Sequence, residues 1–317
     1  VLSQYNIGIG TNTLDGGLDG ADYNVMIGYG AGSAITTAEK SIGIGGSALL
    51  SATTSTLNTA VGFEAGVSLT TGAGQNVFLG YQAGRQATTT VYSVIIGAYA
   101  GYNHSIGGGN NVHIGWGSGQ YASGSNNTFV GQEAGRGGTT SAPFSSGEGN
   151  TAIGKAALDK FTTGDNNVAV GLNALGALTT ANNNIGIGQG AGDLITTGEA
   201  NILIGSDAGG SITTDQYVTI VGYASGQYME AGNGNRYNSY FGATAGYRGG
   251  PGIHQTYIGG EAGLYATGSY NTFVGSQAGE GGTTSAPYSS GENNVAMGFE
   301  ALKVFTTGGH NVAIGYR

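Results

Sequence analysis

Two consecutive 17-residue stretches, NVAVGLNALGALTTANN at residues 167–183 and NIGIGQGAGDLITTGEA at residues 184–200, share the pattern that decides the fold. Each begins with Asn, continues with a three-residue segment and a glycine, and later reaches an apolar residue followed by Thr-Thr. The first part of this pattern recurs eighteen times, at a mean spacing of about 18 residues. A fixed period of this length predicts a solenoid in which each repeat is one rung. The rung glycines are Gly10, Gly28, Gly45, Gly62, Gly80, Gly97, Gly115, Gly131, Gly154, Gly171, Gly188, Gly205, Gly222, Gly242, Gly259, Gly275, Gly298 and Gly315.

The three residues before each rung glycine predict a short strand. The first is β-branched in all rungs but one, where Ser239 stands, and the third is always large and apolar. Alternation at period two places these two positions on one side of the strand, which we expect to face the core. The middle residue is then expected to face outward, and it is also apolar in most rungs, as at Gly8, Met26, Gly43, Ala60, Phe78, Ile95, Phe129, Ala152, Leu203, Ile220, Tyr240 and Phe273.

An apolar stripe along an outer face predicts a partner surface, and for a repetitive chain the economical partner is a second copy. We therefore expect a parallel homotrimer, with a strand covered by its own chain's loops as the alternative. On this assignment, Ala169→Glu should weaken association, whereas Val170→Glu should abolish folding.

Asn stands four residues before the rung glycine in fourteen rungs, and Ser41, Ser93, Val218 and Gln255 replace it in the others. Stacked Asn side chains can form an amide ladder and can also hold a turn. The apolar residue before Thr-Thr, as in Ile35-Thr36-Thr37, is expected to plug the core, while the threonines begin a turn. The predicted ladder comprises Asn6, Asn24, Asn58, Asn76, Asn111, Asn127, Asn150, Asn167, Asn184, Asn201, Asn238, Asn271, Asn294 and Asn311.

A longer period overlies the rungs. Residues 121–171 match residues 265–315 at 35 of 51 positions, with an offset of 144 residues that corresponds to eight rungs. Both copies contain one expanded rung whose extra residues run from Gly137 to Gly147 and from Gly281 to Gly291. The sequence thus predicts that residues 1–317 form a single repetitive all-β solenoid shaft. At about 4.8 Å per rung it would be roughly 85 Å long.

Composition excludes several classes of protein. The 317 residues include 66 glycines, three prolines and no cysteine, with 39% hydrophobic residues and a net charge of −9. Collagen needs glycine at every third position with abundant proline, and disordered chains have fewer apolar residues. Nine Lys and Arg cannot assemble a basic face for nucleic acid, and no stretch of 18 apolar residues predicts membrane insertion.

Motifs for chemistry are weak, so we expect no enzyme, no cofactor and no metal. His104, His113, His254 and His310 lie on separate rungs and are expected at the surface or in loops. Glycan hydrolysis needs two carboxylates about 5 to 9.5 Å apart. Carboxylates two residues after the rung glycine never fall on adjacent rungs; they are Glu64, Glu133, Asp207, Glu261 and Glu300. A groove between two chains could still bring two of them together, so a glycan hydrolase remains an alternative.

Two further possibilities remain open on weaker patterns. Asp15, Asp19 and Asp22 offer clustered oxygen ligands for calcium, but their spacing fits no 12-residue calcium loop. The recurrent Thr-Thr pairs suggest ice binding, but adjacent residues of a strand point to opposite faces, so no two-column hydroxyl array is expected.

Recognition is expected where the rung pattern is broken. The two expanded loops and a tyrosine-rich stretch break it, and tyrosine suits glycan or protein contact through stacking and hydrogen bonds. A structural role for these tyrosines, sealing loop edges and a trimer seam, is the alternative. The candidate receptor-contact residues are Thr139, Ser141, Pro143, Phe144, Thr283, Ser285, Pro287, Tyr288, Tyr228, Tyr237 and Tyr247.

The segments Asn58-Thr59-Ala60-Val61-Gly62 and Asn311-Val312-Ala313-Ile314-Gly315 resemble the head repeats of YadA-like trimeric autotransporter adhesins. The rungs are even more similar to the glycine- and asparagine-rich repeats of phage tail fibres and related viral fibre proteins. This resemblance covers essentially the whole chain, although the adhesin repeat is shorter. It implies a trimeric β-roll that serves as a structural segment of a viral or phage fibre, on the virion or otherwise outside the cell, and presents contacts to a host-surface glycan or protein. A bacterial surface adhesin or extracellular filament is the main alternative.

Overall fold

The computed structural model describes residues 3–71, 74–103, 108–141, 144–229 and 236–317. In these ranges the chain is an all-β solenoid without a helix, which confirms the predicted fold class. The chain divides into two compact units, Val1–Asp165 and Asn166–Arg317.

Every rung contributes one strand of three residues, placed immediately before its rung glycine. Neighbouring strands within each unit pair in parallel. The first unit contains β1 (Ile7–Ile9), β2 (Val25–Ile27), β3 (Ile42–Ile44), β4 (Thr59–Val61), β5 (Val77–Leu79), β6 (Val94–Ile96), β7 (Val112–Ile114), β8 (Thr128–Val130) and β9 (Thr151–Ile153). The second contains β10 (Val168–Val170), β11 (Ile185–Ile187), β12 (Ile202–Ile204), β13 (Thr219–Val221), β14 (Ser239–Phe241), β15 (Thr256–Ile258), β16 (Thr272–Val274), β17 (Val295–Met297) and β18 (Val312–Ile314).

Strand register stays constant although rung length varies. Val168 pairs with Ile185, 17 residues on, whereas Val112 pairs with Thr128 and Thr128 pairs with Thr151. First strand residues always face first strand residues, so a shorter or longer rung changes only the loop between strands. The expanded rungs therefore leave the ladder undisturbed.

The strand faces are the reverse of the sequence expectation, which was wrong on this point. The middle residue is the buried one, as at Met26, Phe78 and Ala169, while the first and third residues remain half-buried or exposed. The physical reason lies in the preceding Asn: it is buried as well, and at period two it shares a face with the middle strand residue. Ala169→Glu is consequently the substitution expected to prevent folding, and Val170→Glu the one that reaches the outer face.

A glycine ends each strand because two constraints coincide there. Gly171 has a φ of +133°, a conformation that residues with a side chain rarely adopt. A Cβ at this position would lie 2.5 Å from the carbonyl oxygen of Gly188, the rung glycine that follows. Rungs can stack at hydrogen-bonding distance only if this position lacks a side chain.

Overlapping turns carry the chain away from the strand. The Ala31 amide donates to the Gly28 carbonyl and the Ser33 amide to the Gly30 carbonyl, both at 3.3 Å. The third residues of these turns, Gly30 and Gly32, have φ values of +64° and +58°, as type II turns require.

The fourth residue after the rung glycine adjusts the volume of the core. It is glycine where the middle strand residue is large: a Cβ on Gly84 would lie 2.3 Å from the Phe78 ring. In five rungs whose middle residue is glycine or alanine, leucine stands there and its side chain fills the space instead. These leucines are Leu14, Leu49, Leu158, Leu175 and Leu302, opposite Gly8, Gly43, Ala152, Ala169 and Ala296. The rungs of Ala60 and Gly186 keep glycine at this position, Gly66 and Gly192, and the leucine of the preceding rung, Leu49 or Leu175, lies beside them.

The apolar residues before Thr-Thr complete the core, as predicted. Ile35, Leu69, Phe161 and Ile195 are buried. His113 corrects another expectation, because it is a middle strand residue, fully buried, with its ring stacked on Phe129 at 5.1 Å. A flat imidazole fits this slot for the same reason that phenyl and phenol rings fit it in neighbouring rungs.

Candidate functional site

The Asn ladder runs through the inside of both units. The Asn184 side-chain oxygen accepts hydrogen bonds from the backbone and side-chain amides of Asn201, at 3.1 and 3.0 Å, while the Asn184 side-chain amide donates to the Gly198 carbonyl at 2.9 Å. Ser41 and Gln255 continue the chain where Asn is replaced, since their backbone amides bond to Asn24 and Asn238. The ladder is a structural spine and offers no surface to a ligand.

The expanded loops are held close to the rungs beneath them. In the first, the Thr139 and Ser145 hydroxyls are 3.2 Å apart, and Ser145 also bridges to Ala122. In the second, the Ser289 hydroxyl donates to the Phe305 carbonyl at 2.7 Å, and Thr283 lies 3.4 Å from Ser289. Ser141, Ser285 and Pro287 are exposed, whereas Thr139, Phe144, Thr283 and Tyr288 are half-buried. Pro143 lies outside the described residues.

Three of the candidate tyrosines meet around an arginine that the sequence analysis did not single out. The Arg248 guanidinium lies 5.2 Å from the ring centre of Tyr228, 5.8 Å from that of Tyr247 and 5.7 Å from that of Tyr288. It also donates a hydrogen bond of 2.9 Å to the Tyr288 hydroxyl. The expanded loop is thereby joined to the tyrosine-rich stretch.

The rings of this group also contact one another. Tyr228 and Tyr247 pack edge to face at 5.0 Å, and Tyr265 stacks on Tyr288 at 6.0 Å. Burial, followed by the proximity of Tyr228, raises the pKa of the Tyr247 phenol above its ordinary value of 10, so this hydroxyl remains protonated at neutral pH. We call Tyr228, Tyr247, Arg248, Tyr265 and Tyr288 the Arg248 cluster.

The structure places Tyr237, the remaining candidate, in a different group. Its ring stacks between Tyr217 and His254 at 5.2 Å on each side, and His254 stacks on Tyr270 at 5.4 Å. All four rings occupy the position just before the Asn ladder and are exposed. They form a continuous aromatic column along one border of the strands.

The first and third strand residues form a second surface feature, which we call the apolar sheet face. Leu79, Ile258 and Met297 are 42–47% exposed although each lies on a strand that is paired on both sides. No first or third strand residue is charged in any rung. Aromatic side chains just after the rung glycine, such as Phe63 stacked on Tyr81 at 5.9 Å, border this face on the side opposite the column of Tyr237.

Most carboxylates considered for hydrolysis are held by other side chains. Glu64 pairs with Arg85 at 2.6 Å, and this bond holds the pKa of Glu64 below its ordinary range. Glu133 pairs with Arg136 and Glu300 with Lys303, whose hydrogen bond likewise lowers the pKa of Glu300.

One pair of carboxylates from neighbouring rungs does interact. Burial, and then the charge of Asp207, raise the pKa of Asp193. A raised carboxyl pKa suits a general acid, but the structure brings no other titratable group into this pair's environment among the described residues.

The structure adds nothing that favours the remaining possibilities. Asp22 accepts a hydrogen bond of 2.5 Å from the Gln4 amide, and within the described ranges no three His, Asp or Glu residues are grouped to hold a metal ion. The Thr36, Thr53 and Thr70 hydroxyls donate to backbone carbonyls of the next rung, so they are engaged within the coil. No helix that would span a membrane occurs in the portion of the chain that the structure describes.

No family model, curated protein or solved structure matches this chain. Two surface features of the chain stand out, the apolar sheet face and the Arg248 cluster.

Proposed function

We propose that this protein is a structural segment of a viral or phage fibre, assembled as a homotrimer, which positions contacts for a host-cell surface. The apolar sheet face is the observation that carries the proposal. Soluble monomers rarely expose contiguous apolar patches larger than a few hundred Å². Here uncharged, mostly apolar strand residues follow one another through nine rungs in each unit, which calls for a covering partner.

A second copy of the chain is the partner that fits this face best. The face repeats once per rung, so only a surface with the same spacing can match it along its length. Exposed aromatic rings border the face on both sides, and aromatic residues are enriched in protein interfaces. In an assembly with closed cyclic symmetry, the apolar sheet face of every copy would be covered in the same way. The resemblance to trimeric fibre repeats suggests three copies.

A bacterial surface adhesin or extracellular filament would have the same build and is the second candidate. The paired carboxylates and the engaged threonine hydroxyls favour neither a glycan hydrolase nor an ice-binding protein. A shaft without catalysis agrees with a core in which every rung performs the same structural task.

The test is the mass of the native chain in solution, measured by multi-angle light scattering. We expect a mass of three chains. Ile153→Glu together with Ile187→Glu adds two charges to the apolar sheet face and should shift the mass to that of one chain without loss of strand content. The matched control, Thr163→Glu with Thr197→Glu, adds the same charges at exposed turn positions of the same rungs and should leave the trimer intact.

A monomeric native chain would contradict the proposal, as would a trimer that survives both pairs of substitutions. Circular dichroism of each variant separates a loss of association from a loss of folding.

A further inference from the structure

The Arg248 cluster contains a charge that no carboxylate of the described residues neutralises. The other arginines, Arg85, Arg136, Arg236 and Arg317, each form an ion pair with a carboxylate. Among the described residues no carboxylate lies within ion-pair distance of Arg248, whose side chain contacts tyrosines alone. In a chain of net charge −9, a guanidinium that no described carboxylate pairs with is an exception.

Arg85 provides the contrast within the same chain. Its guanidinium also lies over a tyrosine ring, 5.5 Å from the centre of Tyr102, but it bonds to Glu64 as well. Among the residues that the structure describes, the same type of arginine–tyrosine contact therefore includes a neutralising carboxylate at Arg85 and none at Arg248. Packing of an arginine on tyrosine is thus compatible with a carboxylate partner.

The rungs that stand eight rungs earlier in the chain carry other residues at most positions of the cluster, of which Tyr265 and Tyr288 lie within the matched copy 265–315. Eight rungs before Tyr228, Arg248 and Tyr288, the equivalent residues are Gln86, Asn103 and Phe144, as read from the rung glycines. The ring positions of Tyr247 and Tyr265 are occupied by tyrosine in both copies, at Tyr102 and Tyr121. Two of the tyrosine positions are thus the same in both sets of rungs. The three positions that differ, those of Tyr228, Arg248 and Tyr288, lie together in the second unit.

We propose that the Arg248 cluster is a binding site for a saccharide that carries a carboxylate. A guanidinium can bind a carboxylate through two parallel hydrogen bonds. The tyrosine rings offer apolar surfaces for the sugar's C–H groups, and their hydroxyls can exchange hydrogen bonds with sugar hydroxyls. Tyr228 is 48% exposed, which leaves room for such contact.

A single guanidinium in an acidic chain disfavours other anions. A polyphosphate backbone would need several cations, and none of the other described cations joins the cluster. The site thus favours one carboxylate per binding event, presented on a ring that can pack against tyrosine. This inference deepens the proposed function by giving the host contact a ligand class, and it rests on that function only for its biological setting.

The experiment compares acidic sugars with neutral ones of the same shape. Titration calorimetry on the full chain would use a short oligogalacturonate and its methyl ester, and sialyllactose and its methyl ester. We expect at least one acidic probe to bind and its neutral counterpart to bind about tenfold more weakly or more, because the neutral probe cannot form charge-assisted hydrogen bonds with the guanidinium. Binding of neither acidic probe, or equal binding of acidic and neutral probes, would overturn the proposal.

Variants locate the site. Arg248→Gln should abolish the preference for the acidic probe, whereas Lys155→Gln removes one exposed positive charge from the other unit and should leave binding unchanged. Tyr288→Phe installs the residue that the first copy carries, so it should fold and bind several-fold more weakly. If the acidic probe binds all three variants as it binds the native chain, the site lies elsewhere and the proposal fails.

The two proposals can fail separately. A chain that is monomeric by light scattering but retains Arg248-dependent sugar binding would contradict the fibre alone. A trimer that does not bind acidic sugars would contradict the proposed binding site alone.

Discussion

At the scale of single residues, asparagine is the residue on which stacking depends. The Asn184 side chain satisfies the buried Asn201 amide on one side and the buried Gly198 carbonyl on the other. Buried polar groups of the backbone are costly when they lose their partners. One Asn side chain per rung thus provides hydrogen-bond partners for backbone groups that lie outside the paired strands.

We expect Asn184→Ala to lower the free energy of unfolding by about 3 kcal/mol, because it leaves an amide and a carbonyl buried without partners. Urea denaturation followed by circular dichroism would measure this change. The control is Gln189→Ala, at an exposed position five residues further on, where a change within about 0.5 kcal/mol is expected. Equal effects of the two substitutions would contradict a structural role for the ladder.

At the scale of the strand, the sequence predicts the existence and position of the element well, but not its orientation. A glycine at each strand end and β-branched neighbours suffice to place all eighteen strands. The sequence does not show which strand residues point into the core, because the residues on both sides of the strand are apolar. Asn167, buried on the same side as Ala169, is the residue that resolves the ambiguity once its burial is known.

The strand and the turn that follows it form one packing unit. Phe78 occupies the space above Gly84, and the five leucine rungs show the opposite arrangement with a small strand residue. In these rungs the pairing keeps one large side chain per rung in the core, as close packing demands.

A double-mutant cycle tests this pairing. Phe78→Ala alone should cost about 3–5 kcal/mol through the cavity that it leaves, and Gly84→Leu alone should be destabilising because its side chain meets the Phe78 ring. The double variant recreates the arrangement of Ala169 with Leu175, so it should be about 2 kcal/mol more stable than the sum of the single effects. Chemical denaturation of the four proteins gives the cycle, and strict additivity would contradict the pairing.

At the scale of the whole molecule, stability and association are expected to be coupled. In the proposed trimer the apolar sheet face is stabilised by the copies that cover it, and anything that binds the folded state raises its apparent stability. For a trimer that dissociates as it unfolds, each tenfold rise in concentration favours the assembly by about 2.8 kcal/mol.

The melting temperature of the native chain should therefore rise with protein concentration, as calorimetry over a hundredfold range would show. The Ile153→Glu and Ile187→Glu double variant should melt at a lower temperature that does not depend on concentration. If the melting temperature of the native chain does not depend on concentration, the apolar sheet face is not covered by other copies of the chain.

The Arg248 cluster shows which part of a site remains hidden in a repetitive sequence. Tyr228, Tyr247 and Tyr288 are recognisable as departures from the rung pattern, but they lie as far as 60 residues apart, and nothing local indicates that they meet. Arg248 escaped notice as a single charge among many loops. The detectable signal is a comparison of each rung with the one eight rungs earlier, in which Asn103 stands at the position of Arg248.

The strand register stays constant across rungs of 16 to 23 residues, so the pairing of the strands does not depend on the length of the loops between them. The ladder fixes where each rung attaches, whereas the loop between the rung glycine and the next Asn is free to lengthen. Insertions in that loop need no compensating change in the spine. Such a chain can acquire new specificity by growing at its loops, and a foreign peptide inserted between Gly281 and Gly291 would be displayed at the surface on an unaltered support.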